Sequence, residues 1–437
     1  MTTRREAAII ELSLASRVQD LYQGQGDPVR ILCITDEYPW PATNGYRIRI
    51  DNVLHGLAAA GKVDLFCTVT EPADLVAGAA AMPQAIERIR VHDRPSFRQS
   101  LRRRVAWLRC GWPRAVAGHE WRGAEEALVA WARAPYDLVW FSHCDTWLAL
   151  GRADRGPVVV DFDNLEDEKL RLLIRLARLQ RREQLLPKLA LGRRLRLAVG
   201  APLDRLDARR WARVQRAAVR SARAVVVCSE LDRRRLGSPS AVVVPNGYSL
   251  AASEAVRPRH VEAVLTMVGL FIYPPNIDGA RFFAHRVLPL VRQEIPAARF
   301  RLVGRHSGKI DDLVGLPGVE ILGELADLGE TFASTAAVVV CLRAGSGTRI
   351  KVLEGFARSL PVVATTVGCE GLDARDGTEL LVGDTPEELA AACVRVLSEP
   401  ALAASLAQAG HRLWSERYRA EDVRGRIRQL AVEIAGS

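Results

Sequence analysis

The sequence predicts two doubly wound α/β domains, and three observations lead to that fold class. The chain has 437 residues, which exceeds a single ordinary hydrophobic core. Short runs rich in Val, Ile and Leu alternate with helical patterns, as in parallel sheets that helices cover on both faces. The alternation restarts after a polar stretch between Ser249 and His260, which we interpret as a linker. Because ligands of such sheets bind beyond the carboxyl ends of the strands, we expect a substrate between two facing domains.

The predicted strands fall into two sets of six. Those of the first domain are Arg30–Thr35, Val63–Val69, Tyr136–Ser142, Pro157–Phe162, Ala224–Ser229 and Ala241–Pro245. Those of the second domain are Ala263–Gly269, Ala298–Gly304, Val319–Gly323, Ala337–Leu342, Pro361–Thr365 and Glu379–Gly383.

Composition indicates a soluble, cytosolic protein. There is no run of about 18 apolar residues, and the N-terminal segment lacks the apolar centre and cleavage site of a signal peptide. The eight cysteines are scattered and form no CxxC pair, so we expect reduced thiols and no metal site.

The formal net charge of +10 is concentrated in Leu101–Arg114 and Glu168–Gly200. Arginines alternate there with leucines, and Trp107 and Trp112 lie among basic residues, a pattern that suits an anionic membrane surface. The alternative, which we favour slightly, is an Arg-rich helical layer packed on the first sheet. Aromatic platforms and recognised nucleic-acid-binding modules are missing from the sequence, so no nucleic acid is expected as a partner.

The segment after the first strand argues against a dinucleotide-dependent dehydrogenase. Such enzymes need GxGxxG there, so that the pyrophosphate can approach the backbone. The sequence has "DEYPWPATNGYR", which holds one glycine, Gly45, and three aromatic residues.

The segment "GSGTRIKVLEGFARSLPVVAT", residues 345–365, is the best candidate for a binding site. A strand leads into glycines at the start of a helix, where free amide groups and the helix dipole favour an anion. Gly347, Lys351 and Glu354 are spaced to share one helix face, whereas Arg349 falls off it. Lys351 can meet a phosphate and Glu354 can accept hydrogen bonds from sugar hydroxyls, which predicts a nucleotide diphosphate ligand. The alternative is an exposed Lys–Glu pair with no ligand.

Four segments resemble GT-B glycosyltransferases, especially glycosyltransferase family 4. They are "GTRIKVLEGFARSLPVVATTVGCEGL", "VVVPNGYSL", "NIDGARFFAHRVLPLVRQEIPAARFRLVG" and "PATNGYRIRIDNVLHGLAAAG". The resemblance is closest to bacterial group 1 transferases that build exopolysaccharides and other glycoconjugates. It implies Rossmann-like domains at 1–250 (acceptor side) and 251–417 (donor side), with a helix at 418–437 crossing back to the first domain. It also implies a retaining, metal-independent hexosyl transfer from a nucleotide-sugar.

The resemblance assigns donor-site roles residue by residue. Glu354 matches the second glutamate of the family's paired motif and would bind the donor ribose, while Ser346 replaces the first glutamate. No basic residue follows the first strand of the second domain before Arg281, so the diphosphate must rely on Lys351, with Arg349 or Arg305. Leu325, in "GELADL", falls in the loop whose backbone touches the base in relatives. The remaining donor-side candidates are Gly45, Gly345, Gly347 and Thr348.

The acceptor side has weaker candidates. Asn44 and Arg49 are predicted to contact the acceptor, or else to be a helix cap and a surface charge. His143, with Asp145 nearby, follows a strand at the position where relatives keep a histidine close to the reacting sugar. Asp161 and Asp163 end another strand, where such acids also cap helices.

The predicted function is therefore transfer of a sugar from a nucleotide-diphosphate-sugar to a glycoconjugate, lipid-linked or natural-product acceptor. The expected location is the cytoplasm, with the inner face of the plasma membrane as a second possibility. Two alternatives stay open. The first is an inactive GT-B scaffolding protein, because Ser346 replaces the first glutamate. The second is a GT-B nucleotide-sugar epimerase, which is less favoured because the sequence shows no convincing set of proton-transfer groups beside the donor site.

Overall fold

The computed structural model describes residues 11–13, 29–69, 85–94, 107–132, 135–152, 155–182, 191–250, 262–325, 327–345, 347 and 349–436. Among the predicted features, Ser346, Thr348 and the linker residues 251–260 lie outside these ranges. The chain forms two compact units. The first unit comprises residues 1–167, 205–245 and 421–437, and the second comprises residues 168–204 and 246–420.

The described part of the first unit contains an eight-stranded sheet. Its strands are β1 (Glu11–Ser13), β2 (Val29–Thr35), β3 (Gly61–Val69), β4 (Ile86–Asp93), β5 (Leu138–Phe141), β6 (Val158–Phe162), β7 (Ala224–Val227) and β8 (Val242–Val243). They are arranged β1-β4-β3-β2-β5-β6-β7-β8. Only β1 pairs antiparallel within this described sheet. The sequence did not predict β1 and β4, because β4 alternates Arg with Ile and Val and lacks a continuous apolar run.

Helices of the first unit cover this sheet. They are α1 (Gly45–Ala58), α2 (Arg114–Ala117), α3 (Arg122–Trp131), α4 (Cys144–Leu150), the start of α5 (Glu166–Arg182), the second part of α6 (Leu191–Ser221), α7 (Glu230–Leu236) and α15 (Ala420–Ala435). Helix α15 packs on α1 at Gly56, where an added Cβ would lie 2.7 Å from the Ile427 side chain. Arg424 fixes the same contact by donating from Nε to Asn52 Oδ1 at 2.9 Å.

The described part of the second unit contains a six-stranded sheet in which every pairing is parallel. Its strands are β9 (Val264–Val268), β10 (Arg299–Val303), β11 (Val319–Gly323), β12 (Ala337–Val340), β13 (Val362–Ala364) and β14 (Leu381–Val382), in the order β11-β10-β9-β12-β13-β14. The two doubly wound parallel sheets confirm the predicted fold class. Continuous burial of strands such as β9 and β12 explains why they were recognisable as apolar runs.

Helices connect the strands of the second sheet and pack on it. They are α8 (Pro274–Phe282), which continues as a π-helical segment (Phe283–Val287) into α9 (Leu288–Glu294), then α10 (Gly329–Ala333), α11 (Ile350–Ala357), α12 (Thr366–Cys369), α13 (Pro386–Ser398) and α14 (Pro400–Arg417). Local sequence sets several of these boundaries. At the start of α13, for example, Thr385 and Glu388 form a reciprocal capping box around Pro386.

Each sheet has one position where the strand order reverses. In the first unit, β3 and β4 extend the sheet from β2 in one direction and β5 begins the other direction, so the reversal lies between β2 and β5. In the second unit the equivalent reversal lies between β9 and β12. The crevice beyond the carboxyl ends of such a strand pair is the usual ligand site of an open α/β sheet.

The basic segments are packed more extensively than a membrane-inserted helix would be. Leu172 and Leu176 of α5 are buried against Ala344. Trp107 is buried, and the guanidinium groups of Arg114 and Arg210 lie over its ring. The contacts of Trp107 agree with the packed-layer alternative for the described part of the first segment. The second segment is packed too, but residues 168–204 belong to the second unit, so the expected packing on the first sheet is wrong there.

Within the described residues, no single helix is long and apolar enough to span a membrane. The pair α13 and α14 satisfies length and composition jointly, across a bend of 102°.

Candidate functional site

The loop between β12 and α11 has the backbone that its glycines predict. Gly345 and Gly347 adopt φ angles of +138° and +78°, which other residues rarely tolerate. Helix α11 begins at Ile350, so Arg349 directly precedes it. Gly347 therefore lies outside the helix, and helical spacing relates only Lys351 and Glu354.

The Lys351 side chain extends over the carboxyl end of β9. Its Nζ donates to Asn276 Oδ1 at 2.8 Å, and Asn276 Nδ2 donates to the Leu270 carbonyl at 2.9 Å, which fixes the orientation of the amide. A Cβ added to Gly269 would lie 3.3 Å from Nζ. The ammonium group of Lys351 thus lies beside the loop after β9, a loop that contains no basic residue of its own.

The Lys351 ammonium has little charge compensation. Burial, and then the neighbouring Arg349, lower the pKa of Lys351 to about 8. In the described part of the chain, no carboxylate lies within ion-pair distance of its Nζ. The positive end of the α11 dipole adds to the same positive potential. Arg343, in the preceding loop, contrasts with this, because it forms a two-pronged ion pair with Asp278.

Arg349 braces the glycine loop. It is buried, its Nε donates to the Val367 carbonyl at 2.9 Å, and its Nη2 lies 3.8 Å from Glu370 Oε2. A Cβ at Gly345 would lie 3.1 Å from Arg349 Nη1, so this close approach also depends on glycine.

Glu354 is buried, and its partners include Tyr248 and Arg358. The Tyr248 hydroxyl donates to Glu354 Oε1 at 2.9 Å, and Arg358 Nη2 lies 3.8 Å from the same oxygen. Burial and the Glu354 charge raise the pKa of the Tyr248 hydroxyl well above its ordinary range. The hydroxyl is therefore protonated at neutral pH and can donate to Glu354.

The other predicted donor-side residues lie at the ends of β10 and β11. Arg305 and Leu325 are exposed. Gly304, just before Arg305, has φ +135°, and a Cβ there would be 2.0 Å from the Gly269 carbonyl oxygen. The loop that follows β9 and the loop that follows β10 are therefore packed backbone against backbone.

In the first unit, charged side chains converge beyond β2 and β5. The Tyr46 hydroxyl donates to Asp36 in a short hydrogen bond. His143 Nδ1 lies 3.0 Å from Asp145 Oδ1, and His143 Nε2 lies 3.5 Å from Glu166 Oε1. The predicted residues His143 and Asp145 thus lie beside two further carboxylates, Asp36 and Glu166, which the sequence did not predict as site residues.

Burial and the charges of neighbouring side chains determine the protonation of His143 and Asp36. Burial disfavours the imidazolium, but Asp145 and the other carboxylates outweigh it and hold the pKa of His143 well above its usual value. Burial, and then Asp145, raise the pKa of Asp36 to about 6.

Asp36, His143 and Asp145 place their ligand atoms within 4.8 Å of one another. A metal would need a neutral imidazole. In the structure these side chains form a hydrogen-bonded cluster, in which Asp36 accepts from Tyr46 and His143 contacts Asp145. Metal independence stays a prediction.

The predicted acceptor-side residues have structural partners. Asn44 caps α1 by accepting from the Arg47 backbone amide at 2.9 Å, as the alternative interpretation expected. Arg49 is buried, pairs through two nitrogens with Asp161, and donates to the Val244 carbonyl at 2.8 Å. Gly45 begins α1, and Asp163 is partly buried at the end of β6. Direct contact of these residues with an acceptor stays a prediction.

Sequence reasoning missed Asn276, Tyr248, Asp36 and Tyr46. Asn276 and Tyr248 lie inside quoted segments, but only the fold brings them to Lys351 and Glu354. Asp36 directly follows the first predicted strand, a position that could have marked it as a candidate.

Part of the chain matches a described protein family. Residues 262–399 match the family model "Glycosyl transferases group 1". No curated protein is similar enough in sequence to count as a relative.

The chain is similar in structure to several solved proteins. Sucrose-phosphate synthase from Thermosynechococcus elongatus is 19% identical with a TM-score of 0.62, over 94% of this chain and 100% of that one. Anabaena HepE, solved with UDP and glucose, is 15% identical with a TM-score of 0.55, over 93% and 100%. A glycosyltransferase from Rickettsia africae is 11% identical with a TM-score of 0.57, over 94% and 99%. At these identities the likeness shows the fold, and it confirms the prediction of GT-B.

Proposed function

We propose that this protein is a retaining, metal-independent glycosyltransferase of the family 4 type. It moves a hexose from a nucleotide-diphosphate-sugar to a saccharide, lipid-linked or small-molecule acceptor in cytoplasmic glycoconjugate or polysaccharide synthesis. The family match of residues 262–399 and the UDP complex of Anabaena HepE support a nucleotide-sugar donor.

The observation that carries the proposal is the position of Lys351. A partly buried ammonium group lies at the strand reversal of the second unit and at the start of a helix, with a neutral amide as its hydrogen-bond partner. Placing a cation there is unfavourable unless an anion joins it. A diphosphate supplies that anion, and Glu354, one turn further along α11, accepts the ribose hydroxyls.

The proposed reaction places the charge of the leaving group at Lys351. The bond between the anomeric carbon and the diphosphate oxygen breaks, and the acceptor hydroxyl oxygen forms a bond on the same face. The acceptor proton passes to the departing phosphate oxygen, so atoms and charges balance without an enzymatic nucleophile. Lys351 stabilises the diphosphate, and His143, kept protonated by Asp145, is the candidate hydrogen-bond donor that the first unit supplies.

A thermal-shift panel of UDP, GDP, ADP and dTDP tests the donor site on wild type and Glu354→Ala. A nucleotide at about 100 times its dissociation constant should add roughly 2.7 kcal/mol of stability. We expect one nucleotide to stabilise wild type and to stabilise the variant much less. If none shifts wild type, the donor site does not work as proposed and the scaffolding alternative becomes the better one.

Turnover of the matching nucleotide-sugar then separates the remaining functions. A transferase releases nucleoside diphosphate faster when acceptor is present, and it keeps the anomeric configuration in the product. An epimerase would alter the donor without acceptor. Unchanged turnover after exhaustive chelation is expected for a metal-independent site.

Membrane association is proposed in a restricted, electrostatic form. Arg171, Arg175 and Arg178 are exposed, and their spacing of four and three residues places them on one face of α5. Such a face can attract an anionic leaflet without insertion. Cosedimentation with phosphatidylglycerol vesicles should occur at low salt and disappear at high salt; binding that resists salt would contradict it.

A further inference from the structure

Tyr248 follows directly after the point where the chain passes from the first unit to the second. After an earlier excursion through residues 168–204, the chain crosses to the second unit again between Pro245 and Asn246, and it returns between Ala420 and Glu421. The Tyr248 backbone amide donates to the Tyr418 carbonyl at 2.9 Å, and the Tyr248 carbonyl accepts from Trp414 Nε1 at 3.0 Å. Two hydrogen bonds of the Tyr248 backbone, one from a side chain and one to a backbone carbonyl, therefore tie the entering segment to the leaving segment within the second unit.

The side chain of Tyr248 joins this junction to the donor site. It is buried, and its hydroxyl donates to Glu354 Oε1 at 2.9 Å. Arg358 approaches the same oxygen and stacks over Phe332, which limits where the carboxylate can move. The Tyr248 ring is buried, and the backbone that carries it is hydrogen-bonded at both its amide and its carbonyl. The bond from its hydroxyl, together with Arg358, therefore restrains the orientation of the Glu354 carboxylate.

We infer that Tyr248 is a positioning residue for ribose recognition, holding the Glu354 carboxylate in the orientation that accepts the ribose hydroxyls of a nucleoside diphosphate. The inference rests on the proposed function. A carboxylate accepts hydrogen bonds in the plane of its oxygens, so a freely rotating Glu354 would lose ordering entropy each time it bound a ribose. The Tyr248 bond removes that loss before the nucleotide arrives.

The test compares Tyr248→Phe with a matched control. Tyr248→Phe keeps the ring and removes one hydroxyl, so the chain is expected to stay folded, which a thermal scan without nucleotide checks. Tyr418→Phe makes the same chemical change at the same junction, but its hydroxyl accepts from the Asp373 amide and not from Glu354. Titration calorimetry is carried out with UDP, or with the nucleoside diphosphate that stabilises wild type in the thermal-shift panel. It should show about tenfold weaker binding by Tyr248→Phe than by wild type. Tyr418→Phe should stay within about twofold of wild type.

A double-variant cycle separates positioning from general structural damage. If Tyr248 acts through Glu354, adding Tyr248→Phe to Glu354→Ala should weaken nucleotide binding no further. Tyr248→Phe should also lose much of the preference for the ribonucleotide over its 2′-deoxy and 3′-deoxy forms. An equal loss in both backgrounds, or wild-type affinity in Tyr248→Phe, would overturn the inference and leave the donor site intact. Absence of nucleotide binding by wild type would instead count against the proposed function itself.

Discussion

Replacing Lys351 by methionine should raise stability and lower nucleotide affinity at the same time. The side chain is held in a site that disfavours its charge, so the folded protein bears a desolvation penalty that a diphosphate relieves. Methionine has similar length and no charge. The penalty then disappears together with the phosphate contact, and the two effects have opposite signs.

The pKa of Lys351 sets the size of the stability effect. A pKa lowered from 10.5 to about 8 corresponds to roughly 3 kcal/mol of unfavourable free energy at pH 7. Losing the hydrogen bond to Asn276 offsets about 1 kcal/mol. Lys351→Met should therefore gain about 2 kcal/mol, or roughly 5 °C in the Tm of the second unit.

The pH dependence has a defined sign. Between pH 8 and 10.5 the unfolded chain binds more protons than the folded one, so wild-type stability rises with pH in that window. The advantage of Lys351→Met should shrink over the same range.

Unfolding and binding measurements between pH 7 and pH 10 test both effects. At pH 7 we expect about thirtyfold weaker diphosphate binding by Lys351→Met, equivalent to about 2 kcal/mol. Wild-type affinity should fall above pH 8, as the ammonium group loses its proton, whereas the affinity of the variant should not follow that titration. Lys309→Met, which removes an exposed lysine of the same unit, is the control and should change neither property. A destabilised Lys351→Met that binds nucleotide like wild type would refute the reasoning.

Three further predictions concern the scaffold around the two sites. Arg49→Met leaves a buried carboxylate unpaired and should lower the free energy of unfolding by about 3–5 kcal/mol in urea; a loss below 1 kcal/mol would show that the pair is not buried. Gly304→Ala forces a Cβ to within 2.0 Å of a carbonyl oxygen and should destabilise by about 3 kcal/mol or more. Gly377→Ala, also at positive φ but with nothing within 4 Å, should lose only about 1 kcal/mol by the same assay. Asp145→Asn should lower the pKa of His143, seen in the NMR titration of its ring protons, because the raised folded pKa depends on that carboxylate. The stability that this raised pKa provides is present below the ordinary histidine pKa and is lost as the pH rises through the folded value, and it should be reduced in the variant.

The fold could be predicted because burial and sequence pattern coincide in most strands. Fully buried parallel strands such as β9 and β12 need continuous apolar runs, and these are visible in the sequence. Strand β4 escaped because it carries arginines, of which Arg88 pairs with Asp64 across the sheet. A charged residue with a cross-strand partner is tolerated in a sheet, but the partner is not apparent from the sequence.

The candidate site could be predicted only where its chemistry lies within one segment. Lys351 and Glu354 are three residues apart, so helix geometry alone relates them. Their partners Asn276 and Tyr248 are 75 and 106 positions away. Such pairs arise from the folding of distant segments, and no local pattern marks them.

The composition of the first unit has a consequence for how the protein is made. Helix α15 follows the whole second unit in the chain, yet it fills the position beside Gly56 on α1, which precedes that unit. The ribosome must therefore synthesise the whole second unit while the first unit still exposes an apolar surface. Val423, Ile427 and Ala431 of α15 cover that surface later. Domains usually fold in the order of their synthesis. Here the first unit to emerge is the last to be completed, which makes this surface a natural point of chaperone contact during translation.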